Sequence, residues 1–353
     1  MDVQANSEPV IKLEGVWKIF GEKSHEAMSA IEHEGLDKTE VLDRFGCVVG
    51  IADVSFTVGR GEVFCIMGLS GSGKSTLVRH LNRLIEPTAG SISVLDNDVS
   101  TMGEAQLRAF RAKDIGMVFQ HMALMPHRSV RDNVAFPLEV RGEPKFRRWE
   151  VSQQALSLVN LDGFEDRLPK ELSGGMQQRV GLARALASDP AVLLMDEPFS
   201  ALDPLIRRQL QHQFLELTKT LHKTTVFITH DLDEAIRIGD RIAIMKDGRI
   251  VQIGTPEEIV INPADDYVAD FVQDISKLKL VFAHSVMEEI DSYSPSPDED
   301  LSQAPRAKEN EDLDHLIDVS ITTELPIIIT DQAGNDIGVV TKSRLLQGIQ
   351  GGK

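Results

Sequence analysis

Residues 68–75 read Gly68-Leu69-Ser70-Gly71-Ser72-Gly73-Lys74-Ser75 and match G-x-x-x-x-G-K-[ST] at every position. No other stretch constrains the fold as strongly, because this octapeptide works only between a strand and a helix. Both flanks are legible. Glu62 to Met67 reads as a short buried strand, and from Lys74 to Leu84 the residues Leu77, Val78, Leu81 and Leu84 share one helical face. A strand, a glycine loop and a helix start turn several backbone N–H groups toward one point. That point carries positive potential and suits a polyphosphate. Lys74 is placed to reach the β- and γ-phosphates, and Ser75 to offer its hydroxyl to Mg²⁺. The competing view, a glycine-rich turn with a chance lysine, leaves both flanks unexplained.

The rest of the composition narrows the class. A chain of 353 residues has room for two domains, and 42% hydrophobic residues supply a core. A net charge of −18 argues against wholesale nucleic-acid binding. No apolar run reaches the ~20 residues that span a bilayer. Met1 to Glu14 lacks the basic start and apolar stretch of a secretory signal. Cys47 and Cys65 lack metal-ligand spacing; Cys65 reads as a small core residue, and a reducing cytoplasm is the simplest home.

Val10 to Phe20 alternates as an edge strand ending in an aromatic ring, which either stacks on a nucleotide base or joins the core. Gly21 to Val49 is charged and helix-prone, too long for a hairpin loop before Val54–Val58, and reads as an insertion. Gly90–Leu95 and Ile115–Gln120 read as further strands, the second ending in an amide that either faces ligand or sits solvated in a loop. His121 to Val140 mixes Met122, Leu124, Met125, Val130 and Phe136 with Pro126 and Pro137. That pattern suits an adaptable apolar docking surface better than one helix, with ordinary core as the alternative. Trp149–Leu161 reads as helix and Asp166–Leu172 as loop.

Leu172-Ser173-Gly174-Gly175-Met176-Gln177-Gln178-Arg179 opens another helix, with Ser173 as its N-cap and two glycines keeping its start bare. The helix start is a second anion site, unless the glycines are only a cap. Ala191 to Glu197 is an apolar strand ending in two carboxylates that alternation points in different directions. Asp196 suits a magnesium shell and Glu197 suits polarising a water. Ser200 to Pro204 is a turn that starts a helix running to Leu221. Thr225–Thr229 is a strand followed directly by His230, placed to orient a water at a γ-phosphate unless it is structural. Arg241–Met245 and Arg249–Ile253 pair across Lys246-Asp247-Gly248, and helical segments from Pro256 to Gln273 close the domain. Glu288 to Asp314 is acidic and rich in proline and serine, the composition of a flexible linker. Leu325–Thr330, a turn, Ile337–Val340 and a short helix through Leu346 form a piece too small for a large core of its own.

Together these motifs resemble the ATP-binding subunit of an ABC transporter over residues 10–273. The resemblance implies an α/β P-loop NTPase fold: a RecA-like core, an antiparallel β subdomain and a helical signature subdomain at about 121–190, within an ATP-binding domain of residues 1–275. It also implies a head-to-tail homodimer with two ATP molecules at the interface. Ser173 and Gly175 of one copy then face the γ-phosphate held by Lys74 of the other, with Gly174 and Gln177 as further nucleotide-binding residues. Phe20, where tyrosine is commoner, corresponds to the adenine-stacking ring. Gly68, Ser70, Gly71, Ser72, Gly73, Lys74, Ser75 and Thr76 correspond to the phosphate and magnesium loop. Gln120 links magnesium and water to the transmembrane partner, Asp196 is the magnesium carboxylate, Glu197 the general base, Asp203 the cross-dimer contact and His230 the γ-phosphate switch.

The insertion at 21–49, with Phe119-Gln120-His121-Met122-Ala123-Leu124-Met125-Pro126-His127 and His230-Asp231-Leu232-Asp233-Glu234-Ala235, is similar to the subfamily importing quaternary amines such as glycine betaine, proline betaine and choline. The expected partners are a transmembrane permease and, through it, an extracytoplasmic substrate-binding protein, with the chain peripheral on the cytoplasmic face of the inner membrane. Residues 276–353, behind the acidic linker at 288–314, resemble a single or degenerate CBS module of α+β type. Three rivals are an ABC importer of another solute, a soluble ABC ATPase and a regulatory binding module. One phosphate loop and no sustained heptads before Leu172 argue against the second. The intact Glu197 and His230 argue against the third.

Overall fold

The computed structural model describes residues 9–120, 123–200, 202–273, 275, 277–293, 295 and 300–350. His121, Met122 and Ala201, read above within motifs, lie outside them, as do residues 1–8 and 296–299 of the expected linker. The chain divides into two units, Met1–Ile253 and Gly254–Lys353. The boundary falls ahead of the helices at 256–273 that the sequence reading placed with the first.

The first unit holds two sheets. A four-stranded sheet has the order β2-β1-β4-β5, from β1 (Ile11–Phe20), β2 (Val48–Val58), β4 (Ala89–Val94) and β5 (Asn97–Asp98). Here β1 is not the expected edge strand, since Ile11 pairs with both Val58 and Val94. Alternation reveals which face is buried but not which edges find partners. Between β1 and β2 stand α1 (Ser24–Glu34) and α2 (Lys38–Phe45). The charged, helix-prone insertion also packs: Ala27, Met28 and Val41 are buried against Ile19, Val49 and Ala52.

The second sheet has the order β10-β9-β3-β8-β7-β6. Its strands are β3 (Val63–Met67), β6 (Ile115–Val118), β7 (Val192–Asp196), β8 (Thr224–Thr229), β9 (Arg241–Lys246) and β10 (Arg249–Gly254). The pairs β3–β8, β3–β9, β7–β8 and β6–β7 are all parallel. Strands β3, β7 and β8 are buried at every residue, as a parallel layer covered on both faces requires. Their C-terminal ends open on one edge, where ligands of open α/β sheets bind. Leu77, Val78 and Leu81 of α3 (Lys74–Leu81) cover this sheet. Helix α3 stops three residues short of the expected Leu84, because Arg83 turns to φ 48° and Leu84 is half exposed. The Phe56 and Phe64 rings stack at 4.9 Å and join the two sheets.

Helix α4 (Glu104–Lys113) leads into β6. A helical region follows, with α5 (Val130–Val140), α6 (Lys145–Leu158) and α7 (Gly174–Ala187). Of the stretch 121–140, which the sequence reads as a poor pattern for one helix, residues 130–140 form a helix despite Pro137 and the described residues 123–129 do not. Ser129 caps it, and Asn133, fully buried, donates to the carbonyls of Met125, Arg128 and Ser129. Side-chain bonds of this kind rescue a start that apolar spacing alone does not show. Helices α8 (Pro204–Leu221) and α9 (Leu232–Ile238) complete the unit, α8 with the expected bounds.

In the second unit, α10 (Pro256–Ile261), α11 (Asp266–Val272) and α12 (Ala283–Val286) precede a sheet of order β11-β14-β13-β12. Its strands are β11 (Glu288–Glu289), β12 (Arg306–Lys308), β13 (Ile327–Thr330) and β14 (Asp336–Val340), packed with α13 (Leu313–Ile321) and α14 (Lys342–Gln350). The stretch expected as a linker thus supplies β12, which runs parallel to β13 with Ala307 opposite Ile329. Ala307 and Leu313 enter a core with Leu316, Ile327 and Val340. Acid-rich composition hides this, because the strand is held by backbone bonds, one small apolar side chain and the Arg306–Asp336 ion pair.

Candidate functional site

The phosphate loop leaves β3 and enters α3 on a bed made by other elements. A side chain at Gly73, at φ 103°, would place its Cβ 2.7 Å from the carbonyl oxygen of Gly50. The Gly248 N–H donates to the Ser72 carbonyl at 2.9 Å, and the Ala52 N–H donates to that of Gly248 at 2.8 Å. The loop is therefore clamped between β2 and the β9–β10 turn. Lys74 is buried, and its Nζ donates to the carbonyls of Gly68 at 2.7 Å and Leu69 at 3.0 Å. Burial lowers its pKa, while the carboxylates of Glu197 and Asp196 act in the opposite sense. Ser72 is buried, and among the described residues its Oγ has no hydrogen-bond partner. A buried hydroxyl without a partner in a glycine-rich loop is what a phosphate oxygen satisfies. Ser70 and Gly71 are exposed and Thr76 half-buried on α3.

The carboxylates arrive from β7. Asp196 is buried; its Oδ1 accepts from Ser75 Oγ at 2.7 Å and its Oδ2 from Arg79 at 3.2 Å. A hydroxyl and a carboxylate joined this way form a hard-oxygen set that fits Mg²⁺. Arg79 was not foreseen. It lies on α3 one turn beyond Ser75, and only the fold brings it to Asp196. The next residue, Glu197, adopts φ 47°, a left-handed conformation rare for a side-chain-bearing residue. Its N–H donates to the Ile228 carbonyl at 3.1 Å. This turn aims the carboxylate away from Asp196, and Oε2 meets Gln120 Nε2 at 3.2 Å and His230 Nδ1 at 3.3 Å. Gln120 follows β6 and His230 follows β8, so three strand ends converge on one oxygen.

Phe20 is 40% exposed, which leaves ring surface for stacking. Lys18 Nζ lies 5.1 Å from its centroid. A side chain on Gly50 would strike the ring edge at 2.7 Å, so one strand supports both ring and phosphate loop.

The remaining predicted residues form a second group. Ser173 caps α7, accepting from the Met176 N–H at 3.3 Å, and Gln177 Nε2 donates to the Leu172 carbonyl at 3.2 Å. Asp203 caps α8, accepting from the Ile206 N–H at 3.1 Å. The two helix starts touch: a Cβ on Gly175 would lie 2.7 Å from Ile206 Cγ2. Ser173, Gly174 and Asp203 are exposed, and among the described residues no hydrogen bond or ion pair links them to Lys74, Asp196 or Glu197 of the same chain. Arg207, unnoticed as a site residue, binds the carbonyls of Ser200 and Leu202 and Asp231, and so ties this group to the segment carrying His230.

The fold and this site define a P-loop ATPase of the cassette type. Residues 51–200 match the family model described as ABC transporter. Over 286 residues the chain is 53% identical to the glycine betaine transport ATP-binding protein OpuAA of Bacillus subtilis, covering 81% of this chain and 68% of that one. It is 43% identical over 340 residues to the trimethylamine N-oxide transport system ATP-binding protein TmoW of Pelagibacter ubique, covering 96% and 97%. Among solved structures, the ATP-binding cassette MJ0796, a dimer in a post-hydrolysis state with ADP and Pi, is 30% identical. It aligns with a TM-score of 0.59 over 70% of this chain and 98% of that one. The chain belongs to the ATP-binding subunits of ABC transporters, and its activity is ATP hydrolysis. Among the described residues no helix is long and apolar enough to cross a membrane.

Proposed function

We propose that this ATPase energises import of a small methylated-amine osmolyte, of the glycine betaine, proline betaine or choline type, through a partner permease. The observation that carries the catalytic half is the meeting of Gln120 and His230 on the Glu197 carboxylate. In this reading Glu197 takes the proton of the attacking water, His230 orients that water, and Gln120 passes the state of the site to the permease. Ser75, Gln120 and Asp196 would hold Mg²⁺, which neutralises charge on the phosphates. Gly68 to Thr76 hold the phosphates and Phe20 stacks on adenine.

The group Ser173, Gly174, Gly175, Gln177 and Asp203, exposed at Ser173, Gly174 and Asp203, is completed by a second copy, as the dimeric solved relative supports. The permease docks on the cleft between α4 and α5, where Phe119, Ala123, Phe136 and Val140 are apolar and Arg108 and Arg184 supply charge. An extracytoplasmic binding protein selects the solute, which places this chain peripherally on the cytoplasmic face of the inner membrane. Residues 276–353 act as a single CBS-like regulatory module.

The cargo rests on the named relatives. Trimethylamine N-oxide is a second candidate, because the match to TmoW spans nearly the whole of both chains. Proteoliposomes holding this subunit with its permease and binding protein decide the matter. ATP-dependent uptake of radiolabelled glycine betaine, competed by unlabelled proline betaine, is the expected result. Uptake of trimethylamine N-oxide alone moves the cargo to the second candidate, and uptake of neither overturns the assignment.

A further inference from the structure

The insertion at 21–49 builds something besides a packed helix pair. Between it and the β9–β10 turn lies a cleft of about 340 Å³, separate from the phosphate loop. Its floor is apolar, made by the buried Val49 and Ala52 with Ile31 above them. One wall is the Trp17 indole, and two cations face in: Lys38 from the first turn of α2 and Arg249 from β10. The Arg249 guanidinium stands 5.6 Å from the Trp17 ring centroid. Neither cation forms an ion pair among the described residues. Two carboxylates stand at the rim, and they are not equivalent. Asp37 is committed to capping α2, accepting from the N–H groups of Thr39 at 2.8 Å and Glu40 at 2.9 Å. Asp247 sits in the turn at φ 50°. Burial lowers the Lys38 pKa, with the Asp247 charge opposing and the Arg249 charge reinforcing it, so the three groups act on one small space.

We propose that this cleft is a regulatory site for a small organic anion with a flat or apolar body, bound by Lys38 and Arg249 at its charged end and by Trp17 at its apolar end. A route to the catalytic loop is built in. Ala52 forms part of the floor and also donates to the Gly248 carbonyl, while the Gly248 N–H holds Ser72 of the phosphate loop. An occupant that stiffens the β9–β10 turn stiffens the loop that receives ATP, and so changes nucleotide affinity. This link rests on the phosphate-loop reading; the cleft itself does not.

Trp149→Phe leaves Trp17 as the sole tryptophan of the full chain, and excess ADP keeps the phosphate loop from serving as the reporter. Phenyl phosphate and benzoate are titrated separately against Trp17 emission. A saturable change, weakened about tenfold by Lys38→Ala with Arg249→Ala and retained by Arg249→Lys, is the expected result. The probe that binds distinguishes an organic phosphate from a carboxylate. An unsaturable response to both probes, or one indifferent to the double substitution in a variant that melts like its parent, overturns the site. The ATPase KM for ATP provides the second readout. The bound probe should shift it about fivefold in the parent and leave the double variant unmoved. Binding without a KM shift overturns the regulatory link but leaves the nucleotide site intact, since loss of ATP affinity in Lys74→Ala tests that separately.

Discussion

At the scale of single residues, Glu197, the proposed base, holds its position at a backbone cost. A left-handed backbone costs a side-chain-bearing residue about 1–2 kcal/mol, and here it swings the carboxylate from the Asp196 side to the Gln120–His230 side. Glu197→Gln keeps size and hydrogen bonding but removes the proposed base. Turnover should fall by about 10²–10⁴-fold, with ATP affinity retained in equilibrium binding; unchanged turnover contradicts the role. Gly248 is as tightly constrained without touching the chemistry. An added methyl would meet the Gly50 carbonyl oxygen at 2.5 Å, at φ 75°. Gly248→Ala should cost at least about 1–2 kcal/mol in urea unfolding and raise the KM for ATP, because its N–H holds Ser72. Equal stability and equal KM would remove the turn from the account.

These two residues also mark what sequence shows and hides. Glu197 is legible because an apolar run ends on it. Gly248, Gly50, Arg79 and Arg207 act through partners far along the chain, and no local pattern names them.

At the scale of elements, α3 couples the site to stability. His80 is fully buried; its Nδ1 donates to the Ile85 carbonyl at 2.7 Å, and its Nε2 has no partner among the described residues. Burial lowers its pKa below the ordinary 6.5, and the nearby Lys18 charge adds to this against the Ile85 bond. The folded state therefore prefers neutral imidazole. Its contribution to stability is present above pH 6.5 and is lost as pH falls from there toward the folded-state value. Urea unfolding between pH 7 and about 5 should show a steeper loss in the native chain than in His80→Gln; equal slopes contradict it. Elements held by apolar periodicity, such as α8 and β7, are readable from sequence. Those held by polar or long-range contacts are not: α5 depends on Asn133, β12 on backbone pairing, and β1 on a partner strand beyond the phosphate loop.

At the scale of the molecule, the ordered motifs placed the ATPase fold, and the relatives share it over most of their length. The division of labour between the two units was less legible. Composition marked the acidic stretch as a separator, whereas its described residues complete the C-terminal core. The half-sites are the larger-scale counterpart. Ser173, the cap of α7, and Gly174 at its start are exposed, and among the described residues no hydrogen bond links them to Lys74 of their own chain, in keeping with the proposed site shared between two copies. The most direct test is the mass of Glu197→Gln by light scattering in saturating Mg-ATP. Twice the monomer mass with ATP, reverting when ATP is removed, is the predicted result; a monomer at every nucleotide concentration contradicts a phosphate gripped from both sides.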